Sequence, residues 1–218
     1  MRRHGYKVVH GHTAEPGDKD IFVTWNRIAI GHSIGKAFQK AERPVLVVEN
    51  ATWGNTFAGE HWYHIARDFH NTSGCFDVGD NDRWDSLDVS LPDFRAHGET
   101  VILPQRGIGS KPVAMPDGWA RKALKQYGGR IRPHPGMRDH NPLDVDLSNA
   151  GRVITWGSGA AVKALMIGIP VISEMPNWIA EQDNTIAGRL DMFRRLAWAQ
   201  WRHEEIAKGI AFEYLIHG

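Results

Sequence analysis

Apolar residues along this chain recur with two alternating periods. Residues 21–25 (IFVTW) form a compact apolar run between Asp18 and Asn26, the pattern of a strand. Residues 33–42 place Ile34, Ala37, Phe38 and Ala41 on one helical face. Residues 44–48 (PVLVV) predict a buried strand ending at Glu49-Asn50. Strand, helix, strand at this spacing predicts a βαβ unit with parallel pairing and a right-handed crossover. Residues 62–67 (WYHIAR) alternate and predict a further strand. Residues 71–93, rich in Gly, Asp, Asn and Ser, read as loop and linker.

A second series repeats the theme. Residues 100–103 (TVIL) predict a strand, and the loop Pro104-Gln105-Arg106-Gly107-Ile108-Gly109-Ser110 follows it. A helix over 119–127 stops at Gly128-Gly129, and a short strand at 130–132 runs into Pro133-His134-Pro135-Gly136. A buried strand over 152–155 turns through Trp156-Gly157-Ser158-Gly159 into a helix over 160–167. Gly168 caps that helix, and 170–173 (PVIS) is the next strand. Residues 189–199 and 204–215 predict helices. The expected fold class is α/β: two small Rossmann-like halves, 1–93 and 94–188, closed by C-terminal helices in 189–218.

Composition adds little to this picture, being ordinary for a soluble globular protein with 42% hydrophobic and 23% charged residues. No stretch approaches the roughly 18 apolar residues that span a bilayer, so no membrane span is expected. The N-terminus is basic but no apolar run follows it, which predicts no signal peptide. The lone cysteine, Cys75, cannot form an internal disulfide and fits a reducing cytoplasm.

Charge changes the picture more. The net charge of +1 gives no nucleic-acid signal for the whole molecule. Residues 1–93 carry 10 Lys/Arg against 13 Asp/Glu, whereas residues 95–138 carry 9 against 2. A local excess of that size favours an anionic ligand. Arg121, Lys122 and Lys125 read as a solvated helix face, while Arg106 and Arg132 sit at strand ends among turn residues.

The candidate chemistry follows the strand ends. In an open parallel sheet, ligands bind beyond the carboxyl ends of the strands. Gln105, Arg106, His134, Trp156, Ser158 and Glu174 all follow predicted strands of the second series, and Arg132 ends one. Gly157, Ser158 and Gly159 open a helix, where free amides and the helix dipole make an anion site; the same turn also suits Ser158 acting only as a cap. Gly107, Gly109 and Ser110 are placed to cradle a phosphate beside Arg106, and Gly136 lies in the stiff loop that fixes His134. His134 suits a phosphate contact, acid–base work or a structural role. In the first half, Glu49, His64 and Asp68 are the candidates for a base that activates a hydroxyl, and Asn26, Asn50, Arg67 and Asn71 for a polar acceptor surface. A metal reading of His61, His64, His70 and Asp68 matches no familiar zinc spacing, so no metal is expected.

Taken in order, Glu49-Asn50, Asp68 to Asn71, Pro104-Gln105-Arg106-Gly107, Arg132-Pro133-His134-Pro135-Gly136, and Thr155-Trp156-Gly157-Ser158-Gly159 with Ala164-Leu165 and Gly168-Ile169-Pro170-Val171-Ile172 resemble the capsule polysaccharide biosynthesis proteins. Those are GT-B-like glycosyltransferases. The chain is also similar to short proteins of bacterial viruses that end in a Trp-rich segment like 198–209. The resemblance implies two Rossmann-like halves facing across a cleft, the second holding a nucleotide sugar as co-substrate and the first holding the acceptor. It implies that His134 and Ser158 contact the donor and that Gln105 and Arg106 line the cleft. The donor stays open between CMP- and UDP-linked sugars, and the acceptor between a polysaccharide and a hydroxymethylated base in phage DNA. Transfer without an obligatory metal is expected, because amides, a helix dipole and cationic side chains can stabilise the leaving phosphate. The competing readings are a nucleotide-sugar epimerase and a non-catalytic nucleotide-binding protein.

Overall fold

A computed structural model describes residues 5–11, 13–68, 79–107, 113–134 and 141–217. The chain is a mixed α/β protein with two sheets. The first begins with β1 (Phe22–Trp25), α1 (Ala29–Lys40) and β2 (Val45–Asn50), and β1 pairs β2 in parallel as a βαβ unit. Ile34 and Phe38 of α1 pack on Val45 and Val47, so the predicted helical face is the one that is buried. The helix begins four residues before the predicted start, at Ala29.

The strand over 62–67 belongs to a hairpin, β3 (Thr56–Phe57) and β4 (Glu60–Arg67). Its turn residues Ala58 (φ 48°) and Gly59 (φ 78°) are both left-handed, the geometry that matches the twist of a two-residue hairpin. The hairpin sends β4 back antiparallel along β2, with Asn50 opposite Tyr63 and Leu46 opposite Arg67. The loop before the second sheet contains a one-turn helix, α2 (Asp82–Asp85), whose Trp84 is buried.

The second sheet is wholly parallel. Its strands are β5 (Glu99–Leu103), β6 (Arg130–Ile131), β7 (Ala150–Thr155) and β8 (Val171–Ser173), in the order β6-β5-β7-β8. α3 (Trp119–Tyr127) connects β5 to β6, the short α4 (Leu143–Asp146) precedes β7, and α5 (Gly159–Met166) connects β7 to β8. Val101, Ile102, Val153 and Ile154 have no exposure, which is why these strands read as continuous apolar runs. Burying each such side chain contributes roughly 1.5–3 kcal/mol.

The C-terminal region departs from the expected pair of helices. α6 (Ile186–Ala197) is followed by a strand, β9 (Gln200–Arg202), which pairs antiparallel with β4. The helix predicted over 204–215 is two helices, α7 (His203–Lys208) and α8 (Ile210–His217), interrupted at Gly209. Trp201 and Leu215 join Leu46 and Ile65 in a small core on the outer face of the first sheet. Trp53, Trp62 and Trp84 of the first half share one core cluster with α5, α6 and the second sheet. Arg83 locks this arrangement: its guanidinium pairs with Glu205, donates to the carbonyls of Ala197 and Gln200, and lies 4.2 Å over the Trp201 ring. No helix among the described residues is long and apolar enough to cross a membrane.

Candidate functional site

The order β6-β5-β7-β8 has its switch point between β5 and β7, whose crossovers leave in opposite directions. Because all four strands are parallel, the segments starting at Pro104, Arg132, Trp156 and Glu174 emerge at one edge. Gln105 crosses the switch point, and its Nε2 donates to the Gly157 carbonyl at 3.0 Å.

The turn after β7 is organised by Thr155, which is fully buried. Its hydroxyl donates to the Leu103 carbonyl at 2.9 Å and accepts from the N–H groups of Gly157 (3.2 Å) and Ser158 (2.9 Å). Ser158 Oγ then accepts from Ala160 N at 3.3 Å as the N-cap of α5. The amides of Gly157, Ser158 and Ala160 are therefore committed internally, and the capping role of Ser158 is realised. Among the described residues, the Gly159 N–H has no such bond, and a Cβ on Gly159 would meet nothing within 4 Å. The open backbone at the α5 N-terminus is thus one residue wide.

Gly157 is fixed by geometry. Its φ is +100°, and a Cβ there would lie 2.8 Å from Met175 Sδ and 3.1 Å from Trp178 Cδ1. Trp156 faces the protein: its Nε1 donates to the Val113 carbonyl at 3.2 Å, and its ring meets Trp119 edge-on at 6.0 Å. It pins the end of the β5 loop to the β7 turn.

The cationic and acidic candidates separate into two groups. Arg106 is exposed, and Gly107 beside it has a φ of 70°. Arg106 has no ion pair among the described residues. Arg132 is buried (5% exposed); its Nε donates to Asp146 Oδ2 at 2.5 Å and its Nη2 to the Asn141 carbonyl at 3.0 Å. That ion pair ties β6 to α4 and turns Arg132 away from the ligand role expected of it. Glu174 is likewise occupied, accepting from Trp119 Nε1 (2.7 Å) and the Tyr127 hydroxyl (3.0 Å). Burial, followed by the hydrogen bond and charge of Glu174, pushes the Tyr127 hydroxyl above its ordinary value. His134 is half-buried beyond the end of β6. Gly109, Ser110 and Gly136 lie outside the described residues.

Two of the three base candidates of the first sheet are neighbours and the third is apart: Glu49 lies directly opposite His64 in the β2–β4 register, on the same face. Glu49 lies at the carboxyl end of β2, 8% exposed, and the Asn26 side-chain amide, with its nitrogen oriented inward, donates to both carboxylate oxygens. Asn50 accepts from Asn55 Nδ2 at 2.8 Å, and Asn55 Oδ1 in turn accepts from the Ala51 N–H at 2.9 Å. His64 is fully buried, with Nδ1 at 2.9 Å from Gln200 Nε2 and 3.4 Å from Thr52 Oγ1. Asp68 and Arg67 are at the opposite end of the sheet: the Asp68 N–H donates to the Val45 carbonyl at 2.8 Å, and Arg67 lies opposite Leu46. The four residue steps from Val45 to Glu49 span about 13 Å along a strand, so Asp68 and Glu49 cannot serve one small site. The antiparallel return of β4 is the physical reason, since a parallel strand ends at the ligand edge and this one begins there. Asn71 lies outside the described residues, as does His70. Among the described residues no group of three His, Cys, Asp or Glu side chains is placed to hold a metal ion.

Lys163 lies where the turn after β2 meets α5. It is exposed on α5, one turn from the helix start, and a Cβ on Gly54 would lie 3.4 Å from its Nζ. The turn after β2 therefore abuts the helix that begins at the switch point. Sequence reasoning missed Thr155, Asn55 and Lys163. Thr155 carried a signal, a hydroxyl two residues before a glycine at a strand end, where it can bond the backbone that follows. Lys163 carried none, because only the packing of the halves gives it a neighbour.

The chain matches no family model and no curated protein sequence.

Proposed function

We propose that this protein is a glycosyltransferase that moves a sugar from a nucleotide-sugar donor to a hydroxyl acceptor, with two Rossmann-like halves facing across a cleft. The observation that carries the proposal is the switch point bridged by Gln105 and Gly157, with Arg106 and the open Gly159 amide beside it. In this reading the donor phosphates lie against Arg106, Gly159 N–H and His134, with the positive end of α5 directed at them. Lys163 adds a cation from the side facing the first half.

Glu49, held by Asn26, is the proposed base. It takes the proton of the acceptor hydroxyl as that oxygen bonds to the anomeric carbon of the sugar. The bond from that carbon to the phosphate oxygen breaks, and its electron pair leaves with the nucleotide. Arg106, Lys163 and the helix dipole stabilise the charge that develops there, so no metal is required.

The test is release of free nucleotide from a panel of CMP- and UDP-sugars with mixed polysaccharide or hydroxymethylated DNA acceptors. Release that needs an acceptor, persists in chelator and is lost in Glu49→Gln is the expected result. Conversion of the donor with no acceptor would select an epimerase instead. One observation favours a non-catalytic nucleotide-binding protein: of the base candidates Glu49, His64 and Asp68, only Glu49 lies at the ligand edge without full burial. Donor binding without turnover for any acceptor would select that second reading.

A further inference from the structure

Four polar side chains stand in one row across the first sheet. Glu49 lies opposite His64 in the β2–β4 register, and His64 lies opposite Gln200 in the β4–β9 register. Residues opposite each other point to the same face of a sheet, so these three share it. Asn26 extends the row, because it follows Trp25, the partner of Val48, and its amide donates to Glu49. Gln200 and His64 are fully buried, and Glu49 nearly so, at the carboxyl end of β2. A buried row of polar groups is stable when each donor meets an acceptor, and that requirement fixes where the hydrogens are.

The backbone N–H of Thr52 can only donate, and it lies 2.9 Å from Gln200 Oε1. That contact fixes the amide, so Gln200 Nε2 is the donor end with two hydrogens. One goes to Thr52 Oγ1 at 3.2 Å and the other to His64 Nδ1 at 2.9 Å. Nδ1 therefore accepts, and the hydrogen of the neutral ring is on Nε2. The Thr52 hydroxyl, 3.4 Å from Nδ1, is a second donor to the same lone pair. Arg83, the cation beside Gln200, donates to its carbonyl and is paired with Glu205. We propose that Gln200 is a positioning residue: it holds His64 as the neutral Nε2–H tautomer and so leaves Glu49 as the one group of the row that can take a proton. The inference rests on the glycosyl-transfer reading for the role of Glu49 as base, but the tautomer does not depend on that reading. Neither ring nitrogen of His64 is then able to act as a base, since Nδ1 accepts from Gln200 and Nε2 already bears a hydrogen. The amides of Asn26 and Gln200 take no proton near neutral pH. In the proposed reaction the proton leaves the acceptor hydroxyl for a Glu49 oxygen and is not relayed into the sheet. The three-residue strand β9 thus does more than extend the sheet, because it brings Gln200 to the row.

Long-range proton–nitrogen NMR of the intact protein with labelled histidine reads the tautomer directly. The His64 signal is the one missing in His64→Phe. At neutral pH the wild type should show the His64 hydrogen on Nε2 and a bare Nδ1. Gln200→Glu keeps the size of the side chain and an acceptor for the Thr52 N–H, but its carboxylate can only accept. A hydrogen should therefore appear on Nδ1 in that variant. In the release assay with donor and acceptor present, kcat should fall in Gln200→Glu while the donor KM is unchanged. A wild-type His64 with a hydrogen on Nδ1 overturns the proposal, whether or not Gln200→Glu folds. So does a tautomer that is the same in Gln200→Glu as in the wild type, or a kcat that survives a shifted tautomer. The expected tautomer in a wild type that turns over no acceptor would support the hold of Gln200 on His64 and fail the glycosyl-transfer reading, so the two are told apart.

Discussion

Thr155 and Leu103 are joined by a hydroxyl-to-carbonyl hydrogen bond of 2.9 Å between the ends of the two central strands, β7 and β5. The same hydroxyl holds the next two amides of the chain, so one oxygen sets both the strand ends and the turn into α5. Replacing Thr155 by Val keeps the shape and removes the oxygen, leaving buried donors and an acceptor unsatisfied. Denaturant unfolding should show a loss of about 2–4 kcal/mol, more than an ordinary Thr→Val change. A loss below about 0.5 kcal/mol, the scale of a surface substitution, would mean that the turn does not depend on this hydroxyl.

Gly157→Ala tests the same turn from the other side. A Cβ there meets Met175 Sδ at 2.8 Å, and the residue is in the left-handed region. A destabilisation of about 2 kcal/mol or more is expected from strain and crowding together. Gly159→Ala, where a Cβ meets nothing, should change stability little and instead weaken donor binding by narrowing the approach to the amide. Equal stability losses in the two variants would contradict this division.

The Arg83–Glu205 pair predicts a pH dependence. Burial pushes the Glu205 carboxyl up, but the hydrogen bond and charge of Arg83, the Arg202 N–H and the Arg202 charge outweigh it, so the group is held below its ordinary value of 4.5. A carboxyl whose folded value is depressed binds fewer protons folded than unfolded. Its contribution is therefore complete above the unfolded value and is lost as pH falls through the folded one. Unfolding free energy should drop as pH is lowered below 4.5. In Glu205→Gln that part of the slope should disappear, at a cost of about 3 kcal/mol near neutral pH from leaving Arg83 unpaired. An unchanged acid slope in Glu205→Gln would assign it to other carboxylates.

Much of the second sheet was legible in the sequence because β5, β7 and β8 carry short apolar runs bounded by glycine or proline. The helix over 119–127 is found at its predicted bounds, since Gly128 and Gly129 end it by local geometry alone. The direction of β4 was less legible: the pattern of WYHIAR shows alternation but not pairing, and the Ala58-Gly59 turn that makes the hairpin lacks the Asn-Gly or Asp-Gly sequence that signals one. That one direction moved Asp68 and Arg67 to the far end of the sheet. β9 was hidden because three residues between helices leave no periodicity, and its pairing with β4 is a contact across more than a hundred residues. The fates of Arg132 and Glu174 were illegible for a related reason. Their positions at strand ends were right, but the partners that occupy them, Asp146 and Trp119, come from other segments.

Gln105→Ala removes the bridge to Gly157 while leaving the fold intact. A stability loss of about 1 kcal/mol is expected, with a larger effect on donor affinity because the β5 loop loses its tether. A fall in stability without any change in nucleotide affinity would make the bridge purely structural.

The central claim is that the switch-point edge binds a nucleotide, and thermal unfolding against CMP, UMP, UDP, GDP and their sugars tests it most directly. A ligand at about 100 times its Kd stabilises the folded state by about 2.7 kcal/mol, a shift easily measured. Stabilisation by one nucleotide family in the wild type, lost or strongly reduced in Arg106→Ala, is the expected result. No stabilisation by any of these ligands, or stabilisation undiminished in Arg106→Ala, would contradict it.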